Sequence, residues 1–171
     1  MSSDEAVAVE VLLMGVTPHG ISYRPVRADL AGSGPDDLAR ELAGDVALVH
    51  STSWRFEDGV VVLTYAALPD PRPQQAAHAL VDPSVVCSGD PMQPAPPVLH
   101  LPHVAAHAVR HLAYLAEHDP GIAPAQHDVA LARLWGMILD MAHRIPTSTH
   151  ERAHRLAAAV SEPVPQPAVA S

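Results

Sequence analysis

Lysine is absent from this chain, and its ten arginines are scattered along it. With a formal charge of −9, it has no basic cluster of the kind that draws nucleic acid or an anionic membrane surface. The one cysteine, Cys87, excludes an internal disulfide and suits a reducing, cytoplasmic compartment. No apolar run approaches the ~20 residues that span a bilayer. The start, Met1-Ser-Ser-Asp-Glu-Ala, lacks a basic n-region, so a signal peptide is not expected. Only six side chains are aromatic. The core is therefore expected to rest on Val, Leu and Ile, with Trp54, Phe56, Tyr65 and Trp135 as its few large anchors.

What is present suffices for a folded domain. A chain of 171 residues, 48% hydrophobic, can bury a core without disulfides or metals. Twelve histidines are the compositional oddity, and they make the net charge steeply pH-dependent near pH 6.5.

The pattern of elements reads as α+β. Ala6 to Val16 is a β-branched apolar run of strand length, broken by Thr17-Pro-His-Gly20. Ile21 to Arg27 is a second short strand, which Pro25 confines to an edge. A helix follows over about 35 to 43. Pro35 sits at its first position, Asp36 and Asp37 lie at the positive end of its dipole, and Gly44 ends it. Val46 to Trp54 and Val60 to Leu68 form an antiparallel hairpin, and Asp58-Gly59 supplies the favoured turn pair.

Nine prolines between Pro69 and Pro102 mark a connection rather than a regular element, with a short strand possible over Leu80 to Cys87. The rest is helical. One helix runs from Pro102 to about His118 and a second from Ala125 to Arg144. A third opens at Ser148, where Ser148-Thr-His-Glu151 matches a capping box. The expected organisation is a β-rich core over 6–70 with a mixed or antiparallel sheet, a proline-rich connection over 71–101, about three helices over 102–160, and a disordered tail over 161–171. The helices' apolar faces pack on the sheet or form a homodimer or partner contact.

Chemistry-bearing patterns are few. There is no G-x-S-x-G elbow, glycine-rich phosphate loop or dinucleotide fingerprint. Ser51 and Ser53 neighbour His50, but strand alternation sends His50 and Ser51 to opposite faces. His103, His107 and His111 recur at i, i+4 and i+8 opposite the apolar arc of their helix. A pair four apart is separated by about 6 Å along the axis and can clasp one Zn²⁺. Without a further ligand the stripe is simply the helix's solvated face.

The order strand, short helix, hairpin, together with Arg40-Glu41-Leu42, Asp45 and Leu48, resembles the core of the Nudix family over residues 6 to about 70. The family's motif is G-x5-E-x7-R-E-U-x-E-E-x-G-U, with U aliphatic. Arg40, Glu41, Leu42 and Leu48 match it, and Asp45 replaces a glutamate conservatively. Val26, Gly32, Gly44 and Ala47 depart from it.

In that family the glutamates hold divalent metals that polarise a pyrophosphate. Losing two of them should weaken the hold on a hard cation sharply. The resemblance thus implies a non-catalytic or regulatory binding module. Its alternative is a divergent Mg²⁺- or Mn²⁺-dependent hydrolase of nucleoside diphosphate-linked substrates, with Glu41 and Asp45 catalytic and Arg40 as the cofactor contact. A second alternative is zinc binding through His103, His107 and His111.

Overall fold

The computed structural model describes residues 6–81, 83–86 and 99–145. The fold is α+β. Strands β1 (Ala6–Thr17), β2 (Gly20–Asp29), β3 (Leu48–Glu57), β4 (Val60–Leu68) and β5 (His78–Ala79) form one mixed sheet in the order β3-β4-β1-β2-β5. Among the described residues four α-helices accompany it: α1 (Pro35–Ala43), α2 (Leu101–His118), α3 (Ala123–Gln126) and α4 (Ala132–Arg144). β1 pairs antiparallel with β2 and parallel with β4, and β3 closes an antiparallel hairpin on β4.

β1 is the centre of the sheet. Every residue from Ala8 to Met14 is buried, as expected of a strand covered on both faces. Val9, Val11 and Leu13 point to one face, where they pack with Tyr65, Ala67 and the Ala39 and Ala43 side of α1. Leu12 and Met14 point to the other, into a core shared with Ile21, Tyr23, Ala66 and Leu68 and with Val109, Leu112, Leu134 and Ile138 of the C-terminal helices. The helices' apolar arcs are thus spent on the chain's own sheet. α2 lies over β3, and α4 over β1 and β2.

Local chemistry explains the element ends. Pro35 opens α1, and the Tyr65 hydroxyl donates to Asp36 Oδ1 at 2.6 Å, fastening the helix start to β4. Burial and then this bond push the Tyr65 phenol up to about 12. Gly44 terminates α1 at φ 76°, a left-handed conformation that suits glycine. Pro25 pairs with Leu12 in β2, beyond the Ser22 and Tyr23 positions that β5 covers, so its missing N–H removes no bond to β5. Gly15 lies where a Cβ would come 3.3 Å from Ser22 Oγ and 3.6 Å from Asp70 Cβ. Beside it, Arg24 and Asp70 form a buried two-point ion pair, with Nε–Oδ2 at 3.1 Å and Nη2–Oδ1 at 2.5 Å.

Several expectations shift. The helix foreseen over 125–144 is split, because the Asp128 side chain accepts from the Ala130 N–H and starts a new turn before α4. Trp135 then bridges the break, its Nε1 donating to the Ala125 carbonyl at 2.9 Å. The strand expected over 80–87 is instead the two-residue β5, with Leu80 bonded to Ile21 just after it. Cys87, the helix at Ser148 and the tail over 161–171 lie outside the described residues.

The β3–β4 loop is shorter than the sequence implies. Arg55, Phe56 and Glu57 continue β3, leaving Asp58 (φ 51°) and Gly59 (φ 84°) as a two-residue turn. The cause is Glu10, the one charged residue in the buried stretch of β1. Arg55 reaches across β4 to it, with Nη1–Oε2 at 2.9 Å and Nη2–Oε1 at 3.1 Å, and also donates to the Thr64 hydroxyl at 3.0 Å. Arg55→Met would strand the Glu10 carboxylate in the interior, at a cost of about 3–5 kcal/mol. Urea unfolding should show that loss, and the Glu10→Met/Arg55→Met double variant should regain much of it. A double variant as unstable as the sum of its singles would mean that the two charges are not coupled.

Candidate functional site

Three groups of residues merit comparison: the carboxylates of α1, the histidines of α2 and the aromatic side chains of β3. On α1, Arg40 and Glu41 are both exposed, and Arg40 pairs with Asp37 at 3.4 Å. Glu41 and Asp45 would share a helix face only if the helix ran past Gly44. It ends at Ala43, and Asp45 is exposed in the loop beyond the left-handed Gly44. Two solvated carboxylates on either side of a helix end do not by themselves supply the several convergent oxygens that Mg²⁺ or Mn²⁺ needs. Among the described residues, no group of three or more His, Cys, Asp or Glu is placed to hold a metal ion.

The histidine stripe faces protein rather than open solvent. His103, His107 and His111 are all half-buried. His107 hydrogen-bonds the Thr52 backbone. The His111 ring lies 5.6 Å from that of His50 on β3 and 6.5 Å from that of His107. His103 packs instead against His100 at 5.8 Å. The structure thus sets His111 between His50 and His107 as ring neighbours, with His103 against His100 instead. Spacing along one helix could not reveal His50 as the third member, because a residue on a strand supplies it.

Burial lowers the His107 imidazole below its ordinary value. The Thr52 bond partly offsets this, and repulsion from Arg110 adds to it. Burial, then repulsion from His50 and His107, lowers His111 as well. Both lie in the seam between α2 and β3.

The aromatic pair is the feature that sequence reasoning placed wrongly. Tyr65 and Trp135 are buried anchors, but Trp54 is 71% exposed and Phe56 is 64% exposed. Alternation explains it. Arg55 points to the helix-covered face to meet Glu10, so its neighbours Trp54 and Phe56 point to the face of α1. α1 has only nine residues, and neither ring belongs to the core beneath it.

The rings stand at the sheet edge beside half-buried Leu63 and Val61, their partners on β4. Among the described residues, β3 has no strand on its other side. A bulge at Thr52 interrupts its pairing between Ser51 and Ser53, whereas Ser53 to Glu57 is regular. Within that stretch both charges are matched inside the chain. Arg55 meets Glu10, and Glu57 accepts from Arg27 at 2.8 Å and from Arg55 at 3.1 Å. Burial would raise the Glu57 carboxyl, but the bond from Arg27 and the attraction of both arginines hold it below the usual range.

Compared with models of known protein families, with curated proteins and with solved structures, the chain matches none.

The histidine seam predicts a pH dependence. A histidine whose folded pKa is depressed leaves the unfolded chain to bind the proton first, so stability is full above about pH 6.5 and falls as pH drops towards the folded value. Melting temperatures should therefore decline between pH 7.5 and 5.5. The His107→Gln/His111→Gln variant should flatten that decline. The contribution of Glu57, and of Asp70, which Arg24 also holds low against its burial, is lost only in the more acidic carboxylate range. A decline of the same steepness in the double variant would place the titrating groups elsewhere.

Proposed function

We propose that this protein is a non-catalytic binding module of Nudix-like layout that engages a protein partner through the β3 edge. The observation that carries the proposal is the pair Trp54 and Phe56, held out from a regular edge strand by the inward pull of Arg55. Exposed aromatics beside an unpaired strand are what strand-addition recognition uses. The backbone supplies hydrogen bonds, and the rings supply buried apolar area at low entropic cost. The layout is supported by the element order strand–strand–helix–strand–strand and by a mixed sheet with α1 on one face and α2 and α4 on the other.

A hydrolase would need several carboxylates to converge on a cation, and Glu41 and Asp45 are both exposed, on either side of the end of α1. The C-terminal helices are less suited to a partner, since their apolar arcs already fill the chain's own core. Among the described residues no helix is long and apolar enough to cross a membrane. A cytoplasmic setting is proposed from the single cysteine.

The test is a panel of nucleoside diphosphate and triphosphate derivatives incubated with the protein and Mg²⁺ or Mn²⁺. Neither wild type nor Glu41→Gln should release product above the protein-free rate. Metal-dependent turnover that disappears in Glu41→Gln would overturn the non-catalytic reading.

A further inference from the structure

Resting on the reading of β3 as a binding edge, we propose that its occupant is a second copy of this chain. The two β3 strands would pair antiparallel across a two-fold axis beside Arg55. That axis sets Trp54 of each copy opposite Phe56 of the other, so the strand is its own complement.

Four observations favour a copy. First, the bulge at Thr52 blunts the upper half of the edge, as edge strands commonly are blunted, whereas Ser53 to Glu57 keeps a regular ladder. That regular stretch is about 17 Å long, enough for a short intermolecular pairing.

Second, the paired stretch brings no unmatched charge to the axis. Arg55 and Glu57 are ion-paired with Glu10 and Arg27 of their own chain, so these two charges add no local repulsion where two acidic molecules meet.

Third, the area is adequate. The exposed parts of Trp54 and Phe56 from two copies supply roughly 600 Å². Leu63, Val61 and the strand backbone can bring the total towards the ~1,200 Å² at which specific interfaces begin. Such an interface is small, and the dimer should dissociate on dilution.

Fourth, described residues close to the ends of the described segments pack on the other face of the sheet, away from Trp54 and Phe56. Ile145, Val85 and Leu99, which flank segments 146–171 and 87–98, all pack in the opposite core.

The experiment is sedimentation velocity of the full chain over a broad dilution series. Wild type should shift from monomer to dimer with concentration, and Trp54→Ser/Phe56→Ser should remain monomeric. Both positions are exposed, so circular dichroism and thermal melting should show that this variant keeps its fold.

Charge-swapped variants give a second reading. Trp54→Lys/Phe56→Lys and Trp54→Glu/Phe56→Glu should each be monomeric alone and should dimerise when mixed. The inference is overturned by wild type that stays monomeric throughout, by a dimer that survives Trp54→Ser/Phe56→Ser, or by charge variants that fail to pair. None of these results bears on nucleotide turnover. Failure of the dimer is therefore distinct from failure of the non-catalytic reading.

Discussion

The ion pair between Glu10 and Arg55 is the interaction on which the rest of the arrangement depends. β1 runs through the middle of the sheet with both faces covered, and it carries one carboxylate into that setting. A buried charge without a partner is costly enough to forbid the arrangement. Arg55 supplies the partner from two strands away, with Thr64 on the intervening strand taking a further guanidinium hydrogen bond. Its position fixes the phase of β3. Because side chains alternate, a one-residue slip would bury Trp54 or Phe56 beside Glu10 and leave Arg55 on the far face. The charge in the core thus decides which face receives the aromatics.

The two faces of the sheet are then treated unequally. One is covered by α2 and α4, whose apolar arcs join β1, β2 and β4 in the larger core. Among the described residues, the other has α1 alone, a helix of nine residues. Its cover extends over Val9, Val11, Leu13, Tyr65 and Ala67, and the two outermost rings on β3 lie beyond it. In a chain with six aromatic side chains, leaving Trp54 and Phe56 in solvent, as Tyr114 on α2 also is, forgoes a large share of the available apolar burial. A partner at that edge, as proposed, would give the exposure a physical purpose. The neighbouring charges, each matched within the chain, make the edge locally neutral on a protein that is acidic as a whole.

Much of this was legible in the sequence wherever the governing signals are local. The β-branched run of β1, the Gly-Pro start and glycine stop of α1, and the Asp58-Gly59 turn all specify their elements through neighbouring residues, and the structure has those elements. The signals that failed are long-range. Arg55 to Glu57 looks like loop until Glu10, 45 residues earlier, is placed beside Arg55. Trp54 and Phe56 look like core anchors until the reach of α1 is known. The periodicity of α2 identifies its apolar arc correctly, yet it cannot show that His107 and His111 fall on the seam with β3, because His50 lies on another element. At α1 the motif letters Arg40, Glu41 and Asp45 were readable, but the helix ends at Ala43, so Asp45 lies beyond it.

The most direct measurement of the central claim is amide hydrogen exchange along β3 at two widely separated protein concentrations. An edge that pairs with a second copy should exchange more slowly over Ser53 to Glu57 at the higher concentration, while the β2 positions beyond β5 do not change. Exchange over Ser53 to Glu57 that is independent of concentration would contradict the assignment of this edge as the binding face between copies.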